Sequence, residues 1–245
     1  MEEYLIFIAI GFIAQLIDGA LGMAYGLTTI TFLLNFGLPP VSASAASHAS
    51  ECITTAFSAL AHQRFGNINP KFFFGLLLPG IFGALIGIFI LTHVAGNEIR
   101  PYIAVYLLIM GLMILSKAFM VFRPQTAITH LSPLGFFGGL LDAIGGGGWG
   151  AIVTSTLLSR GYDARTTIGS VTATQAFIKL TVFIAFLLSN VIIGWQIVLA
   201  LAFGGALSAP LGAWLCKHIP TRVLLSLAGL LIIILSCRTL WISLR

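Results

Sequence analysis

Two stretches of the chain, 42–54 and 166–179, place ionisable side chains among serine, threonine and alanine. His48 and Glu51 lie in the first stretch, and Lys179 closes the second. An imidazole titrates near neutral pH and a carboxyl group can carry a proton, so His48 and Glu51 suit proton transfer. An ammonium group suits an anion. These residues therefore predict either a proton-coupled anion site or a buried ion pair of Glu51 with Lys179, which would be structural.

The spacing of these residues places them on helix faces. His48, Glu51 and Thr55 are three and four positions apart and share one face of a helix. The second stretch repeats that spacing at Thr172, Gln175 and Lys179. Hydroxyl groups beside them are expected either to donate to an oxyanion or to join helices. These hydroxyls belong to Ser47, Ser50, Thr172 and Thr174.

Composition decides which class of protein carries these residues. Of 245 residues, 58% are hydrophobic and 8% charged, with a mean hydropathy of +1.06. This excludes a soluble globular protein, a disordered chain and a nucleic-acid binder, and it predicts an integral membrane protein. The net charge of +5 fits basic loops rather than nucleic-acid binding. No nucleotide-binding Gly-x-x-x-x-Gly-Lys-Ser/Thr motif or zinc-type cysteine spacing is present, so neither a cofactor nor a metal is expected.

An internal repeat organises the chain. A shift of 124 residues aligns the halves 1–122 and 125–245, and each half opens with a long apolar segment interrupted by glycine. The equivalent pairs include Asp18 and Asp142, Gly22 and Gly146, Tyr25 and Trp149, and Gly26 and Gly150. Broken helices at matching positions of two halves indicate a transporter binding site.

The glycine-rich turns bring backbone N–H groups into the membrane. Residues 145–148 are all glycine, so the segment is expected to turn there. Such N–H groups bind anions, and two facing turns would form a small anion pocket walled by Tyr25 and Trp149. Alternatively, the glycines permit close helix packing. Asp18 and Asp142 precede the turns, and each either caps its own turn or binds a proton or cation.

The basic residues discriminate between two topologies. If every apolar segment crosses once, six lysine and arginine residues fall inside and five outside. If each glycine-broken segment is a hairpin with arms of about 13 residues, too short to cross, eight fall inside and three outside. The second arrangement fits the positive-inside rule. We therefore expect an all-α integral membrane protein of two inverted repeats, each a glycine-broken helical hairpin followed by three membrane-spanning helices. The eight inner residues are Arg64, Lys71, Lys117, Arg123, Arg160, Arg165, Lys217 and Arg222.

The motifs resemble one known family. A broken helix rich in aspartate and glycine opens each half, and the run Gly145–Gly150 contains five glycines around Trp149. This pattern is similar to the sulfite exporter TauE/SafE family over nearly the whole chain. The first half departs from it because 19–26 has fewer glycines, so the second turn is expected to dominate binding. The resemblance implies a transporter of sulfite, sulfonates or related small organic anions, by export in some members and by uptake in others.

Together these observations predict a secondary transporter of small sulfur-containing anions that works by alternating access in the cell membrane. Its partners would be the lipid bilayer and a small anionic substrate, and proton coupling is the first expectation. The expected substrate-binding residues are Gly22, Tyr25, Gly26, Ser47, His48, Ser50, Gly146, Gly147, Gly148, Trp149, Thr172, Thr174, Gln175 and Lys179. The proton-coupling candidates are Glu51, His48, Asp18 and Asp142.

Three alternatives remain open at the level of sequence. An anion channel would use the same pore. A cation transporter would use Asp18, Asp142 and Glu51. An intramembrane enzyme is less favoured, because the chain has no Gly-x-Ser-x-Gly motif and a metal site would need more ligands than His48 and Glu51.

Overall fold

A computed structural model describes residues 2–21, 23–119, 130–191, 194–218 and 220–244. Within these ranges the chain is helical, with one short π-helix, Gly150–Thr154, and no strand. The α-helices are α1 (Glu2–Leu21), α2 (Tyr25–Asn35), α3 (Pro40–Arg64), α4 (Pro70–His93), α5 (Gly96–Lys117), α6 (Leu131–Gly145), α7 (Ser155–Ser159), α8 (Ala164–Leu188), α9 (Trp195–His218) and α10 (Thr221–Ser243). Gly22, an expected site residue, and the boundary between the halves lie outside the described residues.

Four helices in the described part of the chain are long and apolar enough to cross a bilayer. They are Pro70–His93, Gly96–Lys117, Thr166–Leu188 and Arg222–Ser243. Large apolar side chains, such as those of Phe74, Phe82 and Phe89 on α4, are exposed on the surface of the bundle. A bilayer requires such an outward-facing apolar surface. The chain is thus a multi-pass membrane protein.

Helix α3 is long enough to cross, with 25 residues, but it is polar. Its position explains this composition, because Ser44, Ser47, His48 and Ser50 are all fully buried inside the bundle. Hydroxyl and imidazole groups are tolerated there because they find hydrogen-bond partners on neighbouring helices. The polar side chains of α3 that the sequence marks as candidate site residues therefore lie in the protein interior.

Each glycine-broken segment folds into two helical arms. In the first, α1 has 20 residues and α2 has 11. In the second, α6 has 15 residues, and a five-residue π-helix and the five-residue α7 follow. The expectation of arms about 13 residues long was therefore wrong for α1, in which Gly11 is accommodated by close packing against Leu201 and the helix continues through Leu21.

Helices of the first half pack against helices of the second half. Helix α1 packs against α9, and the equivalent pair α4 and α6 packs in the same manner. Gly11 and Gly135, which are equivalent in the repeat, mark both contacts. A Cβ atom on Gly11 would overlap Leu201 of α9, and one on Gly135 would lie 2.8 Å from the carbonyl oxygen of Leu76 on α4. Helix α3 packs on its counterpart α8, and α5 packs on α10.

Contacts at one end of the bundle bear on topology. The amide of Asn69, before α4, donates to Ser170 Oγ of α8 at 2.8 Å. The rings of Phe72 and Tyr162 are 5.1 Å apart. The α3–α4 connection and the α7–α8 connection therefore lie at the same end. If every apolar segment crossed once, these two connections would lie on opposite sides of the membrane.

Contacts at the opposite end of the bundle also disagree with single crossings by every apolar segment. Asn35, the last residue of α2, donates to the carbonyl oxygen of Leu235 at 2.9 Å and to Thr239 Oγ1 at 2.8 Å. Both partners lie in the last part of α10. The end of the first hairpin and the end of α10 are therefore neighbours. Single crossings by every segment would place them on opposite sides.

Candidate functional site

The second hairpin turn depends on glycine and on one aspartate. Gly146 and Gly148 have φ values of +69° and +136°, which residues with a side chain rarely adopt. Asp142 Oδ1 accepts a hydrogen bond from the backbone N–H of Trp149 at 2.9 Å. The carboxylate therefore caps the arm that follows the turn, which is the capping alternative predicted for this residue.

The first hairpin turn repeats this capping bond. Asp18 Oδ1 accepts from the backbone N–H of Tyr25 at 3.2 Å. Ala24 adopts a left-handed φ of 92° where a glycine would be unstrained. Equivalent aspartates thus bind the N–H groups of equivalent aromatic residues. This shared contact gives both carboxylates a structural role, whatever further role they have.

The two turns face each other and touch. A Cβ atom on Gly26 would lie 2.6 Å from Gly147 Cα, and one on Gly147 would overlap the backbone of Gly26 and Leu27. Only glycine allows backbones to approach this closely. The sequence predicted facing turns with an anion pocket between them. In this conformation backbone atoms occupy that space.

Side chains from two helices, α3 and α5, satisfy carbonyl groups of the second turn. Ser47 Oγ donates to the carbonyl oxygen of Gly146 at 2.9 Å and lies 2.7 Å from Thr29 Oγ1. Tyr106 OH donates to the carbonyl oxygen of Gly147, also at 2.9 Å. Sequence reasoning missed Thr29 and Tyr106. A phenol midway along the apolar α5 was the available indication of Tyr106.

A buried cluster of charges lies beside the touching turns. Lys179 Nζ is 2.8 Å from Glu51 Oε2 and 2.9 Å from Asp142 Oδ2. The side chains of Lys179 and Asp142 are fully buried, and that of Glu51 is 4% exposed. One ammonium group therefore joins α3 of the first half to α6 and α8 of the second. The pairing of Glu51 with Lys179 agrees with the ion pair expected from the sequence, and Asp142 extends it.

His48 completes the cluster. Its Nδ1 lies 2.8 Å from the carbonyl oxygen of Ser44, and its Nε2 lies 3.2 Å from Asp142 Oδ2. Both neighbours are acceptors when Asp142 is ionised, so each ring nitrogen needs a proton to make its bond. His48 therefore links α3 to the carboxylate of Asp142 on the side away from the Trp149 amide.

Glu51 also contacts its own repeat equivalent. Gln175 Nε2 donates to Glu51 Oε1 at 2.5 Å, and the two positions are 124 residues apart, which is the repeat shift. The contact joins α3 to α8 directly beside the ion pairs of Lys179.

The two turn aromatics support the hairpins. Trp149 is fully buried, and its Nε1 donates to the carbonyl oxygen of Val171 on α8 at 3.2 Å. Tyr25 is 1% exposed, and its hydroxyl donates to Ser50 Oγ on α3 at 3.2 Å. Each side chain thus fixes its hairpin to the polar helix of its own half. Neither lines open space in this conformation.

For three other expected residues the structure shows local contacts. Thr174 Oγ1 donates within its own helix, to the carbonyl oxygen of Ser170 at 2.8 Å. Thr172 is half-buried on the same helix. Asp18 contacts the amide of Tyr25 rather than the ion pairs. Substrate binding by Thr172 and Thr174 and proton coupling by Asp18 stay predictions, as do the roles expected for the other site residues.

Comparison with known proteins identifies the family. The model of the family "Sulfite exporter TauE/SafE" matches residues 7–239. The chain belongs to this family, as its glycine-rich turn predicted. The chain is also 37% identical, over 99% of its length and 85% of the relative's, to "Probable membrane transporter protein YtnM" of Bacillus subtilis (strain 168). No solved structure matches. Both findings support membrane transport as the activity of this TauE/SafE protein.

Proposed function

We propose that this TauE/SafE protein is a secondary transporter of small sulfur-containing anions, sulfite or an organosulfonate, coupled to a proton. It works by alternating access around a site near the bilayer midplane. One observation carries the proposal. The buried ammonium of Lys179 binds Glu51 from the first half and Asp142 from the second, beside the contact of the two hairpins. Any movement that parts the halves must rearrange these charges.

Proton coupling follows from competition for Lys179. In the closed conformation two carboxylates already bind its ammonium, so an oxyanion can bind there only if one of them is neutralised. Glu51 is the better candidate to take up a proton. Asp142 also accepts from the amide of Trp149 and lies beside His48, whereas the second oxygen of Glu51 accepts, within the described residues, only from Gln175. Protonation of Glu51 and binding of the anion therefore favour each other.

Alternating access requires two equivalent halves, and several contacts support an inverted repeat. The pairs α1–α9 and α4–α6 are exchanged equivalents, while α3–α8 and α5–α10 are each formed by a helix and its own counterpart. This is the pattern of a two-fold axis. The contacts at both ends of the bundle favour hairpins that enter and leave on one side. Three crossings then follow in each half, which inverts the second half relative to the first.

A cation transporter is the second candidate, and the excess of carboxylates favours it. Glu51 and Asp142 share a single lysine, and Asp18 lies on the facing hairpin. With both carboxylates ionised, Glu51, Asp142 and Lys179 together carry one net negative charge. Substitution of Lys179 separates the two proposals. A cation site tolerates the loss of a positive charge, whereas an anion site that uses Lys179 loses its substrate.

Counterflow in proteoliposomes tests the proposal. Vesicles preloaded with sulfite receive labelled sulfite outside, with sulfonates, carboxylates and sulfate as competitors. We expect saturable exchange in the wild type and in Arg238→Gln, which alters an exposed residue of α10, and loss of exchange in Lys179→Met. Glu51→Gln imitates the protonated carboxyl group. It should keep exchange but fail to accumulate the anion under an imposed pH gradient.

The outcomes separate the parts of the proposal. If no anion exchanges in vesicles shown to contain folded protein, the sulfur-anion substrate is wrong. If Glu51→Gln accumulates the anion as the wild type does, Glu51 is not the coupling residue. If Lys179→Met retains or increases transport, the cation candidate replaces the anion transporter. Unitary currents in place of saturable exchange would assign the pore to a channel.

A further inference from the structure

A groove of about 560 Å³ lies between α3 and α8, on the lipid-facing side of the bundle. Leu60, Phe177 and Leu180 line it and are also exposed on the outer surface, so the groove opens sideways. The connection between α3 and α4 covers one end, because the amide of Asn69 donates to Ser170 Oγ on α8. The groove is therefore open to the hydrocarbon of the bilayer and closed toward one membrane surface.

The walls of the groove are built from small and apolar residues. Ala56 and Ala59 of α3 face Ala173 and Ala176 of α8. Small residues on neighbouring membrane helices usually permit close contact. Here they leave a space large enough for a drug-sized organic molecule. A cavity that opens into hydrocarbon has no water to fill it, so its occupant is apolar.

Basic residues surround the covered end of the groove. Arg64 follows Gln63, which lines the groove, and Lys71 lies two residues before Phe73, which also lines it. The loop that carries Arg160 is attached to this end by the ring contact between Tyr162 and Phe72. Arg64, Lys71 and Arg160 are all exposed. The nearest acidic residue along the α7–α8 loop, Asp163, caps α8 through the amide of Thr166 at 2.9 Å.

We propose that this groove binds an anionic phospholipid, with one acyl chain between α3 and α8 and the headgroup against Arg64, Lys71 and Arg160. Charge complementarity selects this occupant, because an apolar cleft with a basic rim matches an acyl chain with an anionic head. The basic rim lies on the side that the positive-inside rule assigns to the cytoplasm, where anionic lipids attract basic residues. The bound acyl chain would lie between α3, which carries Glu51, and α8, which carries Lys179.

Thermal unfolding of the purified protein in detergent tests the site. Phosphatidylglycerol and phosphatidylcholine with identical acyl chains are titrated separately, and native mass spectrometry detects retained lipid. We expect phosphatidylglycerol to raise the unfolding midpoint at a concentration about tenfold lower than phosphatidylcholine. The double variant Arg64→Gln/Lys71→Gln should lose this preference. Arg238→Gln, on an exposed part of α10, should keep it.

Filling the groove tests the acyl-chain part. Ala176→Phe and Ala56→Phe place a ring in the groove from opposite walls. If one variant fails to fold, the other still tests the proposal. Both should reduce retained phosphatidylglycerol, whereas Leu227→Phe on exposed α10 should not. Cys52 lines the groove, so the reactivity of its thiol reports whether lipid occupies the groove. In a variant that keeps only this cysteine, phosphatidylglycerol should slow its alkylation by maleimide.

Several results would overturn the proposal. Equal effects of the two lipids would show that the basic residues do not select an anionic headgroup. Retention of phosphatidylglycerol by both filled variants would place the lipid elsewhere. Stabilisation by a soluble alkyl sulfonate but not by phosphatidylglycerol would assign the groove to the transported anion. Dimerisation that Ala176→Phe abolishes, without lipid retention in the wild type, would assign it to a second copy of the chain.

Discussion

Replacement of Lys179 by methionine should destabilise the protein strongly. Methionine has a similar length but no charge, so Glu51 and Asp142 lose the ammonium that lies 2.8 and 2.9 Å from them. Removal of one partner from a buried ion pair costs about 3–5 kcal/mol, because the remaining charge is left without compensation. For a chain of this size that corresponds to a fall in the unfolding midpoint on the order of 10 °C.

The loss should depend on pH in a defined direction. The native variant can relieve the uncompensated charge by keeping a proton on one carboxyl group, which the unfolded chain releases at neutral pH. The native state then binds more protons than the unfolded state, so stability falls as pH rises. One such proton gives a slope of up to about 1.4 kcal/mol per pH unit. The difference between wild type and Lys179→Met should therefore be larger at pH 8 than at pH 5.

Unfolding midpoints of the purified proteins in one detergent, measured from pH 5 to 8, provide the assay. Arg238→Met is the control, because Arg238 is exposed on α10 and belongs to neither proposed site, and it should change little. The double variant Glu51→Gln/Lys179→Met removes one of the two stranded charges. It should therefore be more stable than Lys179→Met at pH 8 and less dependent on pH. If Lys179→Met unfolds like the wild type at pH 8, or if its stability does not change with pH, the electrostatic account of the cluster is refuted.

Three further predictions concern the turns and the contact between Glu51 and Gln175. Gly147→Ala should lower both transport and the unfolding midpoint, since its Cβ atom overlaps the facing turn; Gly205→Ala, which meets its neighbours at an ordinary 3.5–3.7 Å, should do neither. Exchange of the two contacting side chains in Glu51→Gln/Gln175→Glu returns one carboxylate to the same contact. It should restore more accumulation driven by a pH gradient than Glu51→Gln alone retains. Tyr106→Phe leaves a turn carbonyl without its donor and should cost about 1–3 kcal/mol, measured as thermal unfolding.

The sequence predicted the features that follow from local composition. Apolar length predicted the membrane helices. The run 145–148 predicted a turn, because glycine alone accepts the φ of +136° found at Gly148. The 124-residue shift predicted which residues are equivalent. Helical spacing placed His48 and Glu51 on one face, where the structure has both in the charge cluster.

Local sequence patterns could not predict the contacts between the two halves. No spacing rule links Tyr106 to Gly147, which are 41 positions apart, or shows that both carboxylates of the cluster bind one lysine. The direct contact of the turns was missed for the same reason. How closely two backbones approach depends on the packing of all the helices around them. The space expected between the turns would need a different conformation of the two halves.

The contact between Glu51 and Gln175 explains why the halves differ at this pair of positions. The aspartates that cap the turns are repeated, since Asp18 and Asp142 serve separate hairpins. Glu51 is instead matched by Gln175, and the two side chains are 2.5 Å apart. A strict repeat would place two carboxylates in contact at that point, which strongly disfavours ionisation of both. The neutral amide of Gln175 avoids that repulsion and donates a hydrogen bond to Glu51 instead. Two equivalent helices in contact can therefore carry different residues at the same repeat position for an electrostatic reason.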